Sequence, residues 1–209
     1  MTITSRVAER NGWVWPIADR AAWPWLTRQE PDVPQWVMSH VTGRRGIIQA
    51  GGNCGLYTAE YAEHFERVFT WEPDAVNFYC LVSNTPSGNV YAHRAALGSA
   101  PGRAGLVIDE ANCGAYHVSQ RPGSIPVVTI DSYGLDDIDL IHLDMEGYEG
   151  EALTGAAETI ARCRPVIACE VASHGDKFGW PRARLAALIE GYGYREAGRH
   201  HHEVLWQPI

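Results

Sequence analysis

The amino-acid sequence predicts an α/β fold with a mostly parallel sheet, and two observations support this. From residue 46 onward, short apolar runs alternate with segments of helical spacing. Continuous apolar runs are typical of strands buried on both faces, and strand–helix alternation is typical of βαβ units. Near the C-terminus, residues 194–197 and 203–207 predict a closing antiparallel hairpin.

The predicted elements follow one another without an internal repeat. Core strands are predicted at residues 46–50, 67–71, 89–93, 138–143 and 165–171. Helices are predicted at residues 56–65, 74–84, 148–161 and 181–192. Residues 105–109 and 127–130 predict an inserted hairpin or edge pair. Because parallel strands end at one edge of the sheet, we expect a ligand site at that edge.

Residues 1–43 form an N-terminal extension rich in tryptophan and proline, and residues 44–209 form the main domain. The prolines argue against a long helix in the extension, although a short helix is predicted over residues 32–40. The tryptophans of the extension are Trp13, Trp15, Trp23, Trp25 and Trp36. Such side chains pack into a core or stack on a sugar ring, and we expect packing.

Composition and charge argue against several classes of protein. Hydrophobic residues make up 45% of the chain and charged residues 20%, which suffices for a compact core. The net charge is −8 and the basic residues are scattered, so we expect no nucleic-acid partner. No apolar run spans a membrane and no leader is visible, so we expect a cytoplasmic protein. The five cysteines lack CxxC spacing and are expected to be reduced thiols.

A glycine-rich turn separates the first core strand from the helix that follows it. Gly51, Gly52 and Gly55 surround Asn53, and glycine permits tight turns and close approach of a ligand to the main chain. Their spacing differs from the GxGxxG pattern of dinucleotide-binding turns. Taken alone, the turn is explained either by a nucleotide-like ligand or by a tight bend.

An acidic residue, Glu72, ends the second core strand about 20 residues after the glycine turn. A carboxylate at that place can accept hydrogen bonds from both hydroxyls of a ribose. The alternative is a glutamate favoured by the dipole of the next helix. Together with the glycines, Glu72 favours ribose binding.

Sequence motifs follow one another over residues 46–171. They lie at residues 48–55 (IQAGGNCG), 69–73 (FTWEP), 84 and 89–90 (N and NV), 96–98 (ALG), 129–131 (TID), 141–149 (IHLDMEGYE), 153–156 (LTGA) and 164–170 (RPVIACE). In this order and spacing they resemble the motifs of the FkbM methyltransferase family. The resemblance implies a Rossmann-like class I methyltransferase fold, S-adenosyl-L-methionine as the cofactor, and methyl transfer to an oxygen.

The resemblance also implies a set of cofactor-binding positions. They are Gln49, Gly51, Gly52, Asn53, Gly55, Glu72, Ala96 and Asp144. Two positions depart from the family pattern. Gln49 replaces a carboxylate near the amino-acid part of the cofactor, and His142 replaces a lysine. We expect Gln49 to be tolerated, because an amide still forms hydrogen bonds.

The fourth core strand carries the candidate catalytic residues. Alternation along the strand puts His142 and Asp144 on one face, where a histidine–carboxylate pair can remove a hydroxyl proton. Glu146 either lines the site or caps the next helix. A divalent cation held by Asp144, Glu146 and Glu170 is the alternative. We expect no metal, since carboxylates at strand ends also serve as hydrogen-bond acceptors.

The sequence therefore predicts an S-adenosylmethionine-dependent O-methyltransferase acting on a hydroxyl of a glycan or small metabolite. Two other interpretations stay open. Gln49 and His142 are compatible with a non-catalytic binding module that has kept the fold. A nicotinamide-dependent oxidoreductase is disfavoured by the absence of GxGxxG. Nothing in the sequence identifies the acceptor or the oligomeric state.

Overall fold

The structure is a computed structural model that describes residues 2–119 and 121–209. The strands are β1 (Val7–Arg10), β2 (Trp13–Pro16), β3 (Gly46–Ala50), β4 (Arg67–Trp71), β5 (Val90–His93), β6 (Ala96–Leu97), β7 (Gly102–Val107), β8 (His117–Ser119), β9 (Ile125–Val128), β10 (Leu140–Leu143), β11 (Val166–Glu170), β12 (Tyr194–His200) and β13 (Glu203–Pro208). The α-helices are α1 (Ala22–Pro24), α2 (Val33–Met38), α3 (Leu56–Ala62), α4 (Ala75–Asn84), α5 (Glu149–Thr154), α6 (Ala157–Cys163) and α7 (Arg182–Gly191). A π-helical turn spans Trp25–Gln29, and 3-10 helices span Ile3–Arg6, Asp131–Tyr133 and Ser173–Phe178.

The largest sheet has the strand order β12-β13-β11-β10-β3-β4-β5. From β11 to β5 all neighbours are parallel, whereas β13 pairs antiparallel with both β11 and β12. The prediction of a mostly parallel α/β sheet with a C-terminal antiparallel hairpin is confirmed. Every residue of β3 and β10 is buried, as continuous apolar runs predict for central strands.

The two faces of this sheet bury separate sets of side chains. On one face, Ile48 and Leu143 pack in a cluster with residues of α5 and α7. On the other face, Ile47 and Leu140 pack with Tyr61 of α3 and with α2. The core therefore lies on both sides of the strands whose ends point toward the candidate site.

Residues 148–161, predicted as one helix, form the two helices α5 and α6. The break lies at Gly155, where an added Cβ would be 2.1 Å from the carbonyl oxygen of Gly98. The N-terminus of the second helix, α6, is capped by Asp131. Its carboxylate accepts hydrogen bonds from the backbone N–H groups of Glu158 and Thr159 at 3.0 and 2.8 Å. Close backbone packing and an external cap thus stop one helix and begin the next.

The predicted inserted pair forms part of a separate small sheet with the order β6-β9-β7-β8. β7 pairs antiparallel with β9, and β6 pairs parallel with β9. The insertion lies between β5 and β10 in the chain. Its loop, around Cys113 and Tyr116, reaches the edge at which the core strands end.

The N-terminal extension packs on the main domain. Its β1–β2 hairpin is fixed to α4 because Asn84 accepts a hydrogen bond from the N–H of Val14 at 2.8 Å and donates one to its carbonyl at 2.9 Å. Trp15 and Trp23 are buried in edge-to-face contact, with ring centroids 5.0 Å apart. All five cysteines of the chain are free. None of the described helices has the length and apolarity needed to cross a membrane.

Candidate functional site

A cavity of about 700 Å³ lies where β4, β3, β10 and β11 end. The walls also include parts of the N-terminal extension, the inserted loop, the segment after β11 and the turn of the final hairpin. This volume lies within the range of small-molecule sites, and this edge is where open α/β sheets bind ligands.

The glycine turn forms one wall of the cavity. Gly51 has a φ of +82°, and a Cβ there would lie 1.6 Å from the carbonyl oxygen of Asp144. A Cβ on Gly52 would lie 2.7 Å from the Thr70 hydroxyl. Only glycine at position 51 therefore lets β3 and β10 end side by side with the main chain facing the cavity.

Glu72 is joined directly to the glycine turn. Its Oε2 accepts a hydrogen bond from the N–H of Asn53 at 2.9 Å, and its Oε1 accepts one from the N–H of Asp74 at 2.8 Å. The residue is 5% exposed and lines the cavity. Burial raises the pKa of the Glu72 carboxyl to about 8, although both backbone hydrogen bonds oppose that shift. Each oxygen keeps acceptor capacity for a ligand hydroxyl.

The other predicted cofactor-binding residues fall into two groups. Ala96 and Asp144 line the cavity, as do Gly51, Gly52 and Asn53. Gln49 and Gly55 are absent from the wall as the structure describes it. Gly55 instead begins α3 with a φ of +91°. Gln49 and Gly55 thus stabilise the turn without lining the cavity.

The side chain of Gln49 is buried between β3, β4 and α3. Its Oε1 accepts hydrogen bonds from the hydroxyls of Thr58 and Thr70, each at 2.8 Å, and its Nε2 donates to the carbonyl of Gly51 at 3.2 Å. The side chain of Gln49 thus supports the glycine turn, and its expected role in cofactor binding stays a prediction. Two donors and one acceptor surround an amide, which explains why glutamine fits this position.

His142 lies beneath the cavity and not on its wall. It is 1% exposed, its Nδ1 is 2.7 Å from the hydroxyl of Tyr61, and its Nε2 is 3.4 Å from Oε1 of Glu203. The predicted position of His142 beside the reacting groups is corrected accordingly. Asp144, two residues further along the chain, does line the cavity, as does Glu146.

The wall at the ends of β10 and β11 is strongly acidic. Burial, followed by the charge of Glu203, raises the pKa of Asp144 to about 7. Burial and Asp144 raise the pKa of Glu146 to about 7 and that of Glu170 to about 11. Among the described residues that line the cavity there is no lysine or arginine. Several carboxyl groups therefore face one another without a permanent positive charge on the wall.

Distant segments complete the cavity. The hydroxyl of Tyr57 donates to the carbonyl of Glu30 at 2.9 Å, and the indole of Trp25 donates to the Glu30 carboxylate, also at 2.9 Å. The ring of Trp25 is 44% exposed and stacks on His202 at 6.3 Å. From the sequence, Trp25 was weighed for stacking on a sugar but expected to pack in the core. Glu30, Tyr57 and His202 were not predicted as part of a site, because no motif or spacing connects them.

Glu203 is another wall residue that was not predicted from the sequence. It faces Glu170 across the β11–β13 pairing. A signal for it did exist: Glu203 is a charged residue at the start of an otherwise apolar strand next to the end of β11. The neighbour of β13 could not be inferred from the sequence, so that signal could not be used.

A comparison with protein-family models bears on this site. Residues 57–196 match the model described as the Methyltransferase FkbM domain. The chain belongs to this family. The earlier resemblance is thereby confirmed, and the matched range includes Glu72, Asp144 and Glu170. None of the curated proteins compared with the chain matches it.

Solved structures confirm the class I methyltransferase fold. A methyltransferase FkbM from Methylobacillus flagellatus KT is 19% identical with a TM-score of 0.55, covering 83% of this chain and 50% of that one. The chain thus spans half of the Methylobacillus protein. A precorrin-6y C5,15-methyltransferase from Geobacter metallireducens is 13% identical, with a TM-score of 0.52 and coverage of 84% and 86%. A TehB-like SAM-dependent methyltransferase from Corynebacterium glutamicum is 11% identical, with a TM-score of 0.52 and coverage of 90% and 94%.

Proposed function

We propose that the protein transfers a methyl group from S-adenosylmethionine to a hydroxyl of a glycan or small metabolite. The observation that carries this proposal is the hydrogen bond between the N–H of Asn53 and the Glu72 carboxylate. It joins a glycine turn and an acidic strand end into one wall of the cavity. A ribose on Glu72 would then keep the rest of a nucleoside cofactor along the turn.

The residues present fit such a cofactor. Glu72 is buried with its two oxygens held by backbone N–H groups, so it is oriented before a ligand arrives. Neighbouring residues leave no room for side chains at Gly51 and Gly52. Because glycine has none, the main chain of the turn stays open to a ligand. Ala96 supplies a small apolar side chain on the same cavity. S-adenosylmethionine, when bound, supplies an activated methyl group.

Asp144 and Glu146 serve the acceptor. Both follow β10 and line the cavity beyond Gly51. Methyl transfer to a hydroxyl releases a proton, and Asp144 is the carboxylate that we assign to receive it. Asp144 is also fixed in place, because its N–H donates to the carbonyl of Ala50 at 3.0 Å. Its distance from the glycine turn is therefore set by the pairing of β3 with β10.

The lining restricts the acceptor. Lysine and arginine are lacking among the described lining residues, so nothing on the wall compensates a phosphate or carboxylate. Trp25 offers an exposed ring at the cavity, and aromatic faces of this kind pack against sugar rings and apolar rings alike. A neutral, hydroxylated acceptor fits both features.

Calorimetry with S-adenosylhomocysteine and with NAD tests the cofactor assignment. We expect binding of the first and none of the second, and the opposite result would favour an oxidoreductase. Transfer of labelled methyl groups to a panel of neutral glycans, polyols and their phosphorylated forms tests the reaction. Binding of S-adenosylhomocysteine without transfer to any acceptor would instead support a non-catalytic module.

A further inference from the structure

Three side chains at the acceptor end of the cavity form a compact group. Glu146 follows β10, Glu170 ends β11, and His174 lies in the 3-10 helix Ser173–Phe178. Each contributes one oxygen or ring nitrogen such that all three atoms lie within 4.8 Å of one another. Nδ1 of His174 is 2.9 Å from Oε2 of Glu146. Three separate segments of the chain thus converge on one point.

Two polar atoms in or beside this group are buried without a hydrogen-bond partner among the described residues. Nδ1 of His174 is shielded from solvent yet has no hydrogen-bond partner of acceptable geometry, despite its closeness to Glu146. Glu203 is 5% exposed, lines the same cavity, and its Oε2 is also buried without a partner. Cross-strand partners point to the same face of a sheet, so Glu203 and Glu170 lie side by side.

The carboxylates at this end of the cavity favour the binding of a cation. Glu146 and Glu170 both line the cavity, and the described lining residues include no lysine or arginine. Like charges that face one another disfavour ionisation, whereas a bound divalent cation would favour the carboxylate form of each.

The spacing agrees with octahedral coordination. Bonds of about 2.1 Å place neighbouring ligand atoms about 3 Å apart and opposite ones about 4.2 Å apart. The 2.9 Å between Nδ1 of His174 and Oε2 of Glu146 agrees with two neighbouring positions in this geometry. Two carboxylates and one imidazole leave about three positions open, and Mn²⁺ accepts such mixed oxygen and nitrogen ligands.

We propose that Glu146, Glu170 and His174 bind a divalent cation whose open positions accept oxygen atoms of the acceptor. An acceptor with two adjacent oxygens, such as a vicinal diol, fits this site best, because it can occupy two positions at once. The cation site stands on its own geometry, while the acceptor class rests on the proposed methyl transfer. The metal-free site expected from the sequence is the alternative to this proposal.

Mn²⁺ alone is the probe for this site. Electron paramagnetic resonance of wild-type protein titrated with Mn²⁺ should show loss of the free-ion signal up to one ion per chain. Glu170→Gln removes a carboxylate with little change in shape, and His174→Ala removes the imidazole ligand. Each should weaken Mn²⁺ binding at least about tenfold, since even indirect partners of a metal ligand are worth that much. Calorimetry with S-adenosylhomocysteine should give unchanged affinity in both variants.

A second cluster in the chain supplies the control. Asp32, His200 and His201 also bring their ligand atoms within 4.8 Å, at the surface. Asp32→Asn should leave Mn²⁺ binding intact. An undiminished free Mn²⁺ signal with wild type would overturn the proposal and leave a positively charged acceptor to match the acidic wall. Loss of binding in Asp32→Asn but not in Glu170→Gln would overturn it as well. Failure of S-adenosylhomocysteine to bind wild type would instead count against the proposed function alone.

Discussion

The hydroxyl of Tyr61 and Nδ1 of His142 lie 2.7 Å apart in the buried layer between α3 and β10. Both side chains are buried, and the ring of Tyr57 stacks on the imidazole at 6.1 Å. Nδ1 of His142 has exchanged water for a fixed partner, so this hydrogen bond stabilises the buried contact, whereas Nε2 is buried 3.4 Å from Glu203 without a hydrogen bond. The pair thus links α3 to the strand that carries Asp144.

Tyr61→Phe should lower the free energy of unfolding by about 1–3 kcal/mol, because Nδ1 of His142 would remain buried without its partner. Urea denaturation of the two proteins measures this difference. Tyr79→Phe is the matched control, since Tyr79 is exposed and should change stability by less than about 0.5 kcal/mol. Equal stability of both variants would show that the Tyr61–His142 hydrogen bond contributes nothing.

At about pH 9, above the folded-state pKa of Glu72, Glu72→Ala should weaken S-adenosylhomocysteine binding by about 1.5–3 kcal/mol, because hydrogen bonds from the ribose to a charged acceptor are lost. Isothermal titration calorimetry gives the affinity, and circular dichroism checks that the variant is folded. Glu66→Ala, an exposed residue just before the opposite end of β4, is the control and should bind like wild type. Unchanged affinity in a folded Glu72→Ala protein would remove Glu72 from the cofactor site.

The ligand-free protein should lose stability relative to Glu72→Gln as the pH rises from about 5 to about 8. Burial raises the folded-state pKa of Glu72 to about 8, above its value near 4.5 in the unfolded chain. The folded state therefore binds this proton more tightly, and its stabilising effect is lost as pH rises through the folded pKa. Urea denaturation over this pH range should show a relative change of about 2–5 kcal/mol. A constant difference between the two proteins would mean that Glu72 is ionised throughout.

Gly51→Ala should abolish stable folding or lower stability by more than about 3 kcal/mol. The new Cβ would collide with the carbonyl of Asp144 at 1.6 Å, on a backbone with a φ of +82°. Gly88→Ala is the control, since a Cβ there meets no atom within 4 Å. Thermal unfolding of both variants makes the comparison. A well-folded Gly51→Ala protein would show that the β3 and β10 ends can move apart.

Asp19→Asn should destabilise the protein by about 2–4 kcal/mol at neutral pH. The buried carboxylate accepts hydrogen bonds from the indole of Trp15 and from the N–H groups of Ala22 and Trp23, at 2.9–3.0 Å. Burial alone would raise the Asp19 pKa, but the hydrogen bonds from Trp23, Trp15 and Ala22 outweigh it and lower the pKa below 3.8.

The stabilising effect of Asp19 is thus present above its unfolded-state pKa and is lost as pH falls through the lower folded-state pKa. Denaturation curves of wild type and Asp19→Asn should therefore converge in acid. Asp109→Asn, an exposed control in the inserted loop, should match wild type at every pH. A wild-type advantage that persists in strong acid would contradict this account.

The positions of Glu72 and Asp144 could be predicted from the sequence, because each follows a buried parallel strand and such strands end at one edge. The depth of His142 could not. Alternation shows on which face of the strand a side chain lies, but residues i and i+2 are also about 6.6 Å apart along the strand. That distance separates Asp144 on the cavity wall from His142 in the buried layer that contains Tyr61. Sequence periodicity does not show how far along the strand a residue lies from the cavity.

The acceptor half of the cavity was largely beyond sequence-based prediction. Glu30, His202 and Glu203 are far from the family motifs and reach the cavity only through tertiary packing. Glu203 arrives because β13 pairs with β11, and Glu30 because the N-terminal extension covers α3 and the glycine turn. Neither contact depends on a local residue pattern. Wall residues at strand ends could be predicted from the sequence, whereas those brought in by long-range packing could not.

The N-terminal extension also affects how enzymes of this fold can be recombined. Trp25 and Glu30 form part of the cavity wall, yet they lie outside residues 57–196, which match the family model. A chimaera that exchanges only the matched core would carry over Glu72 and the carboxylates at the ends of β10 and β11. The recipient's own leading segment would still form this part of the cavity wall. Transplanting that part of the wall therefore requires moving the extension together with the core.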